Sequence, residues 1–208
     1  MSVGNFRNRI LVSLQLLFLL LVSTNSRAQV AAPTPPTVAP VSDAEKYRLE
    51  HEEQLHVDWA NLKRYQAANQ QAGPPAVGEN RVVFYGDSIT DAWIGTVPEF
   101  FQGKPYLDRG ISGQTTPQML VRMRQDVVNL QPRVVVILAG TNDIAGNTGP
   151  STPEMIEDNF KSMVEVARAN GIQPVLASIL PASDYPWKPG LEPGPKIVAL
   201  NTWLRGYA

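Results

Sequence analysis

Three short apolar runs, each followed at once by a polar turn that contains glycine, constrain the fold of this chain most strongly. The runs cover residues 81–85, 105–109 and 133–139, and helical patterns follow the turns. Strands that alternate with helices form parallel sheets through right-handed crossovers. Because the carboxyl ends of parallel strands meet at one edge of the sheet, we expect the three turns to lie close together there.

Two helices and a fourth strand continue this alternation. Thr116 is the expected cap of a helix that runs to Gln131 and Pro132, and residues 152–171 repeat the same start and stop signals. Residues 173–180 predict the fourth strand, and residues 196–207 predict another helix. The pattern therefore predicts an α/β sandwich of three layers around a parallel sheet.

A polar helical stretch precedes the first strand. Leu55, Trp59 and Leu62 are spaced to share one helix face that packs onto the domain. The two histidines of the chain, His51 and His56, lie in the same stretch, where we interpret them as solvated surface residues. Their spacing of five does not place them on one helix face for metal binding, so the sequence predicts no metal site and no cofactor.

The three turns carry the residues with catalytic chemistry. Their sequences are GDSIT at residues 86–90, GISG at residues 110–113 and GTND at residues 140–143. A serine just after a strand lies where a nucleophile can face a crevice, although a lone Gly-Asp-Ser is an ordinary turn and helix-cap sequence. Three such turns in this order are far more specific than any one of them.

These blocks resemble those of the GDSL or SGNH hydrolases, serine esterases and lipases of flavodoxin-like fold. The resemblance extends from Asp58 to the C-terminus. It implies that Ser88 is the nucleophile. It also implies an oxyanion hole formed by the backbone amides of Ser88 and Gly113 and the side-chain amide of Asn142. The residues alone leave open that Gly113 only permits a turn and that Asn142 only caps one.

The acidic residues beside these positions have a simpler interpretation. We expect Asp87 and Asp143 to accept backbone hydrogen bonds that brace their loops, and we assign neither a role in proton transfer. Ile89 stands where the family has leucine, an apolar exchange of similar volume that should be tolerated.

The base that a serine nucleophile needs has no counterpart in the chain. The family supplies it as a histidine three residues after an aspartate, near the C-terminus, whereas His51 and His56 both precede Ser88. The sequence also stops at Ala208 inside an apparent helix. We therefore expect an inactive fragment that is unstable or prone to self-association and lacks the last strand, the last helix and the Asp/His pair. A natural pseudoenzyme of the same fold that binds glycans or another ligand is the alternative.

The N-terminus predicts export. Arg7 and Arg9 precede an apolar run at residues 10–22, and residues 1–28 resemble a secretory signal peptide, with an uncleaved anchor as the competing interpretation. Residues 29–42 are rich in proline and alanine and predict a disordered linker before a hydrolase domain at 43–208. We expect a secreted or periplasmic protein without stable membrane association after cleavage.

Charge and composition limit the partners. The chain has no cysteine, and signal cleavage would remove three arginines from a formal net charge of −1. The acidic product is unsuited to nucleic acid. The resemblance implies a small-molecule or carbohydrate ester as the substrate. The sequence does not separate lipases, short-chain esterases and carbohydrate deacetylases. Tyr185, Trp187 and Trp93 either line the cleft or pack internally.

A binding module is the alternative of a different class. A flavodoxin-like nucleotide binder needs several hydrogen-bond donors that converge on phosphate in the first loop. Asp87 instead brings an acid to that loop. The sequence therefore favours the esterase over the nucleotide binder.

Overall fold

A parallel four-stranded sheet forms the centre of the protein, as seen in a computed structural model that describes residues 42–208. The predicted signal peptide and nearly all of the predicted linker lie outside the described residues. The strands are β1 (Val82–Gly86), β2 (Tyr106–Gly110), β3 (Val134–Leu138) and β4 (Gln173–Leu176), in the order β2-β1-β3-β4. The alternation of strands and helices is therefore confirmed as an α/β fold.

Helices connect and flank the strands. No helix within residues 42–208 is both long enough and apolar enough to cross a membrane. The helices are α1 (Asp43–Val57), α2 (Gln66–Ala72), α3 (Ser88–Thr96), α4 (Pro98–Phe101), α5 (Thr116–Asp126), α6 (Thr141–Ala145), α7 (Pro153–Ala169) and α8 (Gly194–Tyr207), with a 3-10 turn at Val128–Leu130 after α5.

The register of the sheet sets the ends of the central strands level. Gly86, the last residue of β1, pairs with Gly110 of β2 on one side and with Leu138 of β3 on the other. The three polar turns thus leave the sheet at the same height, and the prediction that they share one edge is confirmed.

One face of the sheet is completely covered. Val83, Tyr85, Val135 and Ile137 are all 0% exposed. They pack in one core with apolar side chains of α5, α7 and α8: Met119, Met123, Ile156, Phe160, Met163, Ile197 and Leu200. The apolar side chains of these helices therefore bury this face of the sheet.

The opposite face is covered only in part. Phe84 of β1 contacts an aromatic cluster from α3, α4 and β2, consisting of Trp93, Phe100, Phe101 and Tyr106. Beyond this cluster, an apolar groove of about 500 Å³ runs along β3 and the segment after β4, with Val136, Leu138 and Leu180 in its lining. Leu180 is 57% exposed.

The predicted N-terminal helix is interrupted. Helix α1 ends at Val57, so Leu55, Trp59 and Leu62 do not share one helix face, and Trp59 is 41% exposed. The cause is Asp58, whose carboxylate accepts hydrogen bonds from the backbone N–H groups of Leu62 and Lys63 and folds the chain into turns.

Two other boundaries differ from the sequence prediction. Thr115, rather than Thr116, is the N-cap of α5, and its backbone N–H donates to the side chain of Gln118 at 3.0 Å. Thr116 instead bonds to Asp143. Strand β4 ends at Leu176, four residues before the predicted end.

Candidate active site

Ser88 lies on the first residue of α3, directly beyond the end of β1. The side chain of Asp87 caps the helix by accepting from the Ile89 N–H at 3.0 Å. The turn requires glycine at position 86, because a Cβ there would lie 2.1 Å from the hydroxyl of Thr90. Ser88 itself is half-buried. The local sequence thus places the serine at the N-terminus of a helix that packs tightly on its own strand.

The glycine loop after β2 is fixed to the same helix. Both the backbone N–H and the hydroxyl of Ser112 donate to the carboxylate of Asp91, at 3.1 and 2.7 Å. A Cβ on Gly110 would lie 2.0 Å from the backbone nitrogen of Asp91. Gly113 has a φ of +78°, a conformation that favours glycine. The predicted backbone donor therefore lies in a loop tied to α3 one turn after Ser88.

The asparagine loop after β3 meets the glycine loop. Asn142 is 2% exposed, and its side-chain N–H donates to the carbonyl oxygen of Gln114 at 2.9 Å. Asn147 donates from its side-chain amide to Asn142 Oδ1 at 3.0 Å and to the carbonyl oxygen of Gly113 at 3.1 Å. These bonds bring Gly113 and Asn142 together, as the resemblance requires.

The two acids brace their loops, as expected. Asp143 is 2% exposed and accepts from the backbone N–H of Thr116 at 3.0 Å and from its hydroxyl at 2.6 Å. Burial raises the pKa of Asp143. Burial also raises the pKa of Asp87 to about 6, to which the negative charge of Asp143 adds.

Arg122 of α5 is hydrogen-bonded to the ends of two strands and to the glycine loop. This side chain is 0% exposed, donates to the carbonyl oxygens of Gly86 and Arg109 at 3.0 and 2.9 Å, and contacts Asp126 at 3.1 Å. It also donates to the side chain of Gln114. A single buried guanidinium thereby connects the ends of β1 and β2 to the loop that receives the Asn142 amide.

The interpretation of His51 as a solvated surface residue is wrong. The residue is half-buried, and its imidazole lies 3.6 Å from where a Cβ on Gly113 would be. With Asn61 and Ser112 it lines a cavity of about 300 Å³. The sequence alone gave no signal for this position, because the position depends on the packing of α1 beside the glycine loop. His56 is exposed, as predicted.

The aromatic residues divide between packing and the surface. Tyr185 is 3% exposed, and its hydroxyl lies 2.7 Å from that of Thr141, next to Asn142. Trp187 stacks on Tyr185 at 4.8 Å and is 56% exposed. Trp93 packs in the aromatic cluster. Of the three, Tyr185 therefore supports the asparagine loop directly.

No group of three or more histidine, cysteine, aspartate or glutamate side chains in the described part of the chain has the arrangement of a metal site. The polar groups gathered at this edge include hydroxyls, amides and backbone N–H groups. Such groups can hold a developing oxyanion without a metal ion.

The sequence of this edge matches a known family. Residues 84–208, more than half of the chain, match the GDSL-like Lipase/Acylhydrolase family. The chain belongs to that family. The α/β fold of this GDSL-like protein also agrees with the folds of solved structures of similar proteins.

Two structures from Bacteroides are especially similar. A GDSL-like lipase of Bacteroides thetaiotaomicron is 46% identical, with a TM-score of 0.71 over 73% of this chain and 74% of that one. A protein proposed to be an acylhydrolase, from Bacteroides fragilis, is 49% identical, with a TM-score of 0.71 over 73% of each chain. The chain therefore shares its fold with GDSL-like structures that are 46% and 49% identical to it.

A curated relative differs in length. The uncharacterized lipoprotein YqeF of Bacillus subtilis is 29% identical over 127 residues, which are 53% of this chain and 52% of that protein. The GDSL-like chain thus spans about half the length of this relative.

Proposed function

We propose that this protein is a serine esterase that hydrolyses short acyl or acetyl esters, with Ser88 as the nucleophile. One observation carries the proposal. The loop of Gly113 and the buried side-chain amide of Asn142 are hydrogen-bonded to one another at the same sheet edge from which Ser88 begins α3. Membership of the GDSL-like family supports ester hydrolysis as the reaction.

The arrangement suits acyl transfer. Attack by Ser88 Oγ on an ester carbonyl forms a bond to carbon and moves negative charge onto the carbonyl oxygen. The backbone N–H groups of Ser88 and Gly113 and the side-chain N–H of Asn142 are the donors we assign to that oxygen. Fixed donors stabilise the charge as it develops, and removing one typically costs about 3 to 4 kcal/mol of barrier.

A base must take the proton of Ser88 before turnover is possible. The family's Asp-x-x-His block has no counterpart in the 208 residues, and both histidines precede Ser88. We therefore expect the 208-residue chain to hydrolyse esters no faster than its Ser88→Ala variant, because loss of a triad member costs on the order of 10⁴ to 10⁶ in turnover.

The polar cavity beside the glycine loop supports the proposal that the alcohol portion of the substrate is polar. Imidazole and amide side chains, including His51 and Asn61, line it, and such groups bind hydroxyls by hydrogen bonds. We propose acetylated carbohydrates as the substrate class. Export fits this substrate, and the description of YqeF as a lipoprotein supports export.

The test is turnover of a panel of esters by the 208-residue chain and by the chain extended with its downstream coding sequence. We expect Ser88-dependent hydrolysis of acetyl esters by the extended form, loss of that activity in Ser88→Ala, and wild-type activity in Ser162→Ala. Ser162 is a half-buried serine of α7, whose hydroxyl donates to the carbonyl oxygen of Asp158, and it serves as the matched control. Equal turnover by the extended wild type and Ser88→Ala would refute the proposal.

A ligand-binding pseudoenzyme is the second candidate, favoured by the missing base. It predicts saturable binding of a glycan with no Ser88-dependent turnover in either form. Isothermal titration with acetylated and deacetylated xylo-oligosaccharides separates the candidates, since the enzyme releases acetate from the acetylated ligand and the pseudoenzyme does not.

A further inference from the structure

Asn147 holds together the two loops from which we assign oxyanion donors, although no sequence block includes it. It follows α6, after Gly146 ends that helix in a left-handed conformation with a φ of +71°. The backbone N–H of Asn147 donates to the carbonyl oxygen of Asn142 at 3.0 Å. The turn therefore folds Asn147 back onto Asn142.

The side chain of Asn147 then bridges the two loops. Its amide nitrogen lies 3.0 Å from Asn142 Oδ1 and 3.1 Å from the carbonyl oxygen of Gly113. A primary amide carries two N–H groups, so one group can serve each acceptor. No hydroxyl has two hydrogens to donate in this way.

Backbone carbonyls fix the orientation of both amides. A carbonyl oxygen only accepts, so the Asn147 atom that faces Gly113 O must be the nitrogen, and the Asn142 atom that faces Gln114 O at 2.9 Å must also be the nitrogen. Asn142 Oδ1 then points to Asn147. One N–H of Asn142 binds Gln114, and its other N–H is the donor assigned to the oxyanion.

We propose that Asn147 is a positioning residue that locks the Asn142 amide and the Gly113 loop in the geometry of the oxyanion hole. The inference rests on the proposed esterase function. Without Asn147, the Asn142 side chain loses the donor to its oxygen, and Gly113 loses its bond to the asparagine loop. The bond from Asn142 to Gln114 then remains without the bridge that fixes its geometry. Both sets of oxyanion donors then lose their fixed spacing, and preorganised spacing is what makes such donors effective.

Kinetics of the form that shows Ser88-dependent turnover test the proposal. We expect Asn147→Ala to lower kcat roughly 10- to 100-fold with little change in KM, since small misplacements of catalytic groups cost up to about 100-fold. Asn147→Asp has the same shape without donors and should lose at least as much. Asn170→Ala, which removes an exposed asparagine that donates to Val166 O, is the matched control with unchanged kcat.

A double-mutant cycle separates positioning from general destabilisation. If Asn147 acts through Asn142, Asn147→Ala has much less effect on kcat in an Asn142→Ala background than in the wild type. Equal effects in both backgrounds, or an Asn147→Ala enzyme with wild-type kcat, would overturn the proposal. Loss of Ser88 dependence itself, by contrast, would overturn the proposed function and not only the role of Asn147.

Nuclear magnetic resonance gives a readout that needs no turnover. In the 208-residue chain, the side-chain amide signals of Asn142 should shift and exchange faster with solvent in Asn147→Ala and Asn147→Asp, but not in Asn170→Ala. Unchanged Asn142 side-chain signals in folded variants would contradict the bridge. Asn147→Ser, which offers a single donor, should give an intermediate effect and provides a milder variant if the others unfold.

Discussion

The edge of the sheet that carries the candidate site and the open face above β3 and β4 differ sharply in how they are held. At the edge, buried side chains such as Arg122, Asn142 and Asp143 bind loops from three strands to one another. On the open face, Leu138 is half-buried and Leu180 is 57% exposed in a wide apolar groove. The site is therefore organised by its own hydrogen bonds and does not depend on complete coverage of the sheet.

Removal of the Arg122 guanidinium should have the largest effect on stability. Arg122→Ala leaves Asp126 buried without its cationic partner and removes one donor each from the carbonyl oxygens of Gly86 and Arg109, so the free energy of unfolding should fall by about 3 to 5 kcal/mol. Urea unfolding measures this. The exposed Arg124→Ala serves as control, with an expected change below about 0.5 kcal/mol. A similar small loss in both variants would show that the loops are held in some other way.

Adjacent residues of β3 compare the two faces directly. Ile137→Ala on the covered face should cost about 2 to 5 kcal/mol, because it opens a cavity in a packed core. Leu138→Ala on the open face should cost roughly 1 kcal/mol, because the side chain is only half-buried. The same urea experiment applies. Equal losses of stability in the two variants would mean that the open face is covered in solution. A larger loss for Leu138→Ala in a longer form of the protein would identify the added residues as the cover.

The buried acid at the edge should give the stability a pH dependence. Burial holds the pKa of Asp87 at about 6, above its ordinary value, so the folded state binds its proton more tightly than the unfolded state. This contribution is fully present below the ordinary aspartate pKa of 3.8, is still largely present at pH 4, and is lost as pH rises through about 6. A pKa shift of about two units corresponds to roughly 2 to 3 kcal/mol in the free energy of unfolding.

Asp87→Asn removes this titration while it keeps an oxygen that can accept from the Ile89 N–H. The free energy of unfolding of the wild type should fall between pH 4 and pH 7. In the variant it should fall less over the same range. Unfolding curves for both proteins at the two pH values provide the measurement. An identical pH dependence in both proteins would remove Asp87 as its source.

Charges on the open face should have the smallest effect on stability and a clear effect on association. Val175→Lys/Leu180→Lys should change the free energy of unfolding by less than about 0.5 kcal/mol, because both side chains are largely exposed. It should also reduce self-association of the 208-residue chain in sedimentation velocity. Val77→Lys, at a fully exposed loop position, is the control. A wild-type chain that is monomeric and unfolds in a sharp thermal transition would contradict the prediction that this face causes self-association.

The sequence was sufficient where the local pattern carries the information. Alternating strands and helices predicted the parallel sheet, and glycines at the strand ends predicted the shared edge of the three turns. The capping preferences of Asp87 and the bracing role of Asp143 also followed from local hydrogen-bond chemistry.

Contacts between distant segments were the part that the sequence did not reveal. Asp58 ends α1 early through bonds to backbone groups four and five residues ahead, which apolar periodicity does not register. His51 lies near Gly113 because α1 packs beside the glycine loop, a contact between segments about 60 residues apart in sequence. Asn147 resembles an ordinary turn residue in sequence, and its two acceptors become visible only when the loops are folded.

Covalent labelling of Ser88 by a fluorophosphonate probe tests the central claim most directly. In the protein extended by its downstream coding sequence, peptide mapping should place the adduct on Ser88. We expect no adduct in Ser88→Ala and labelling about 10²- to 10³-fold slower in Asn142→Ala, which removes one oxyanion donor. An adduct on another residue, or labelling that persists in Ser88→Ala, would contradict the account.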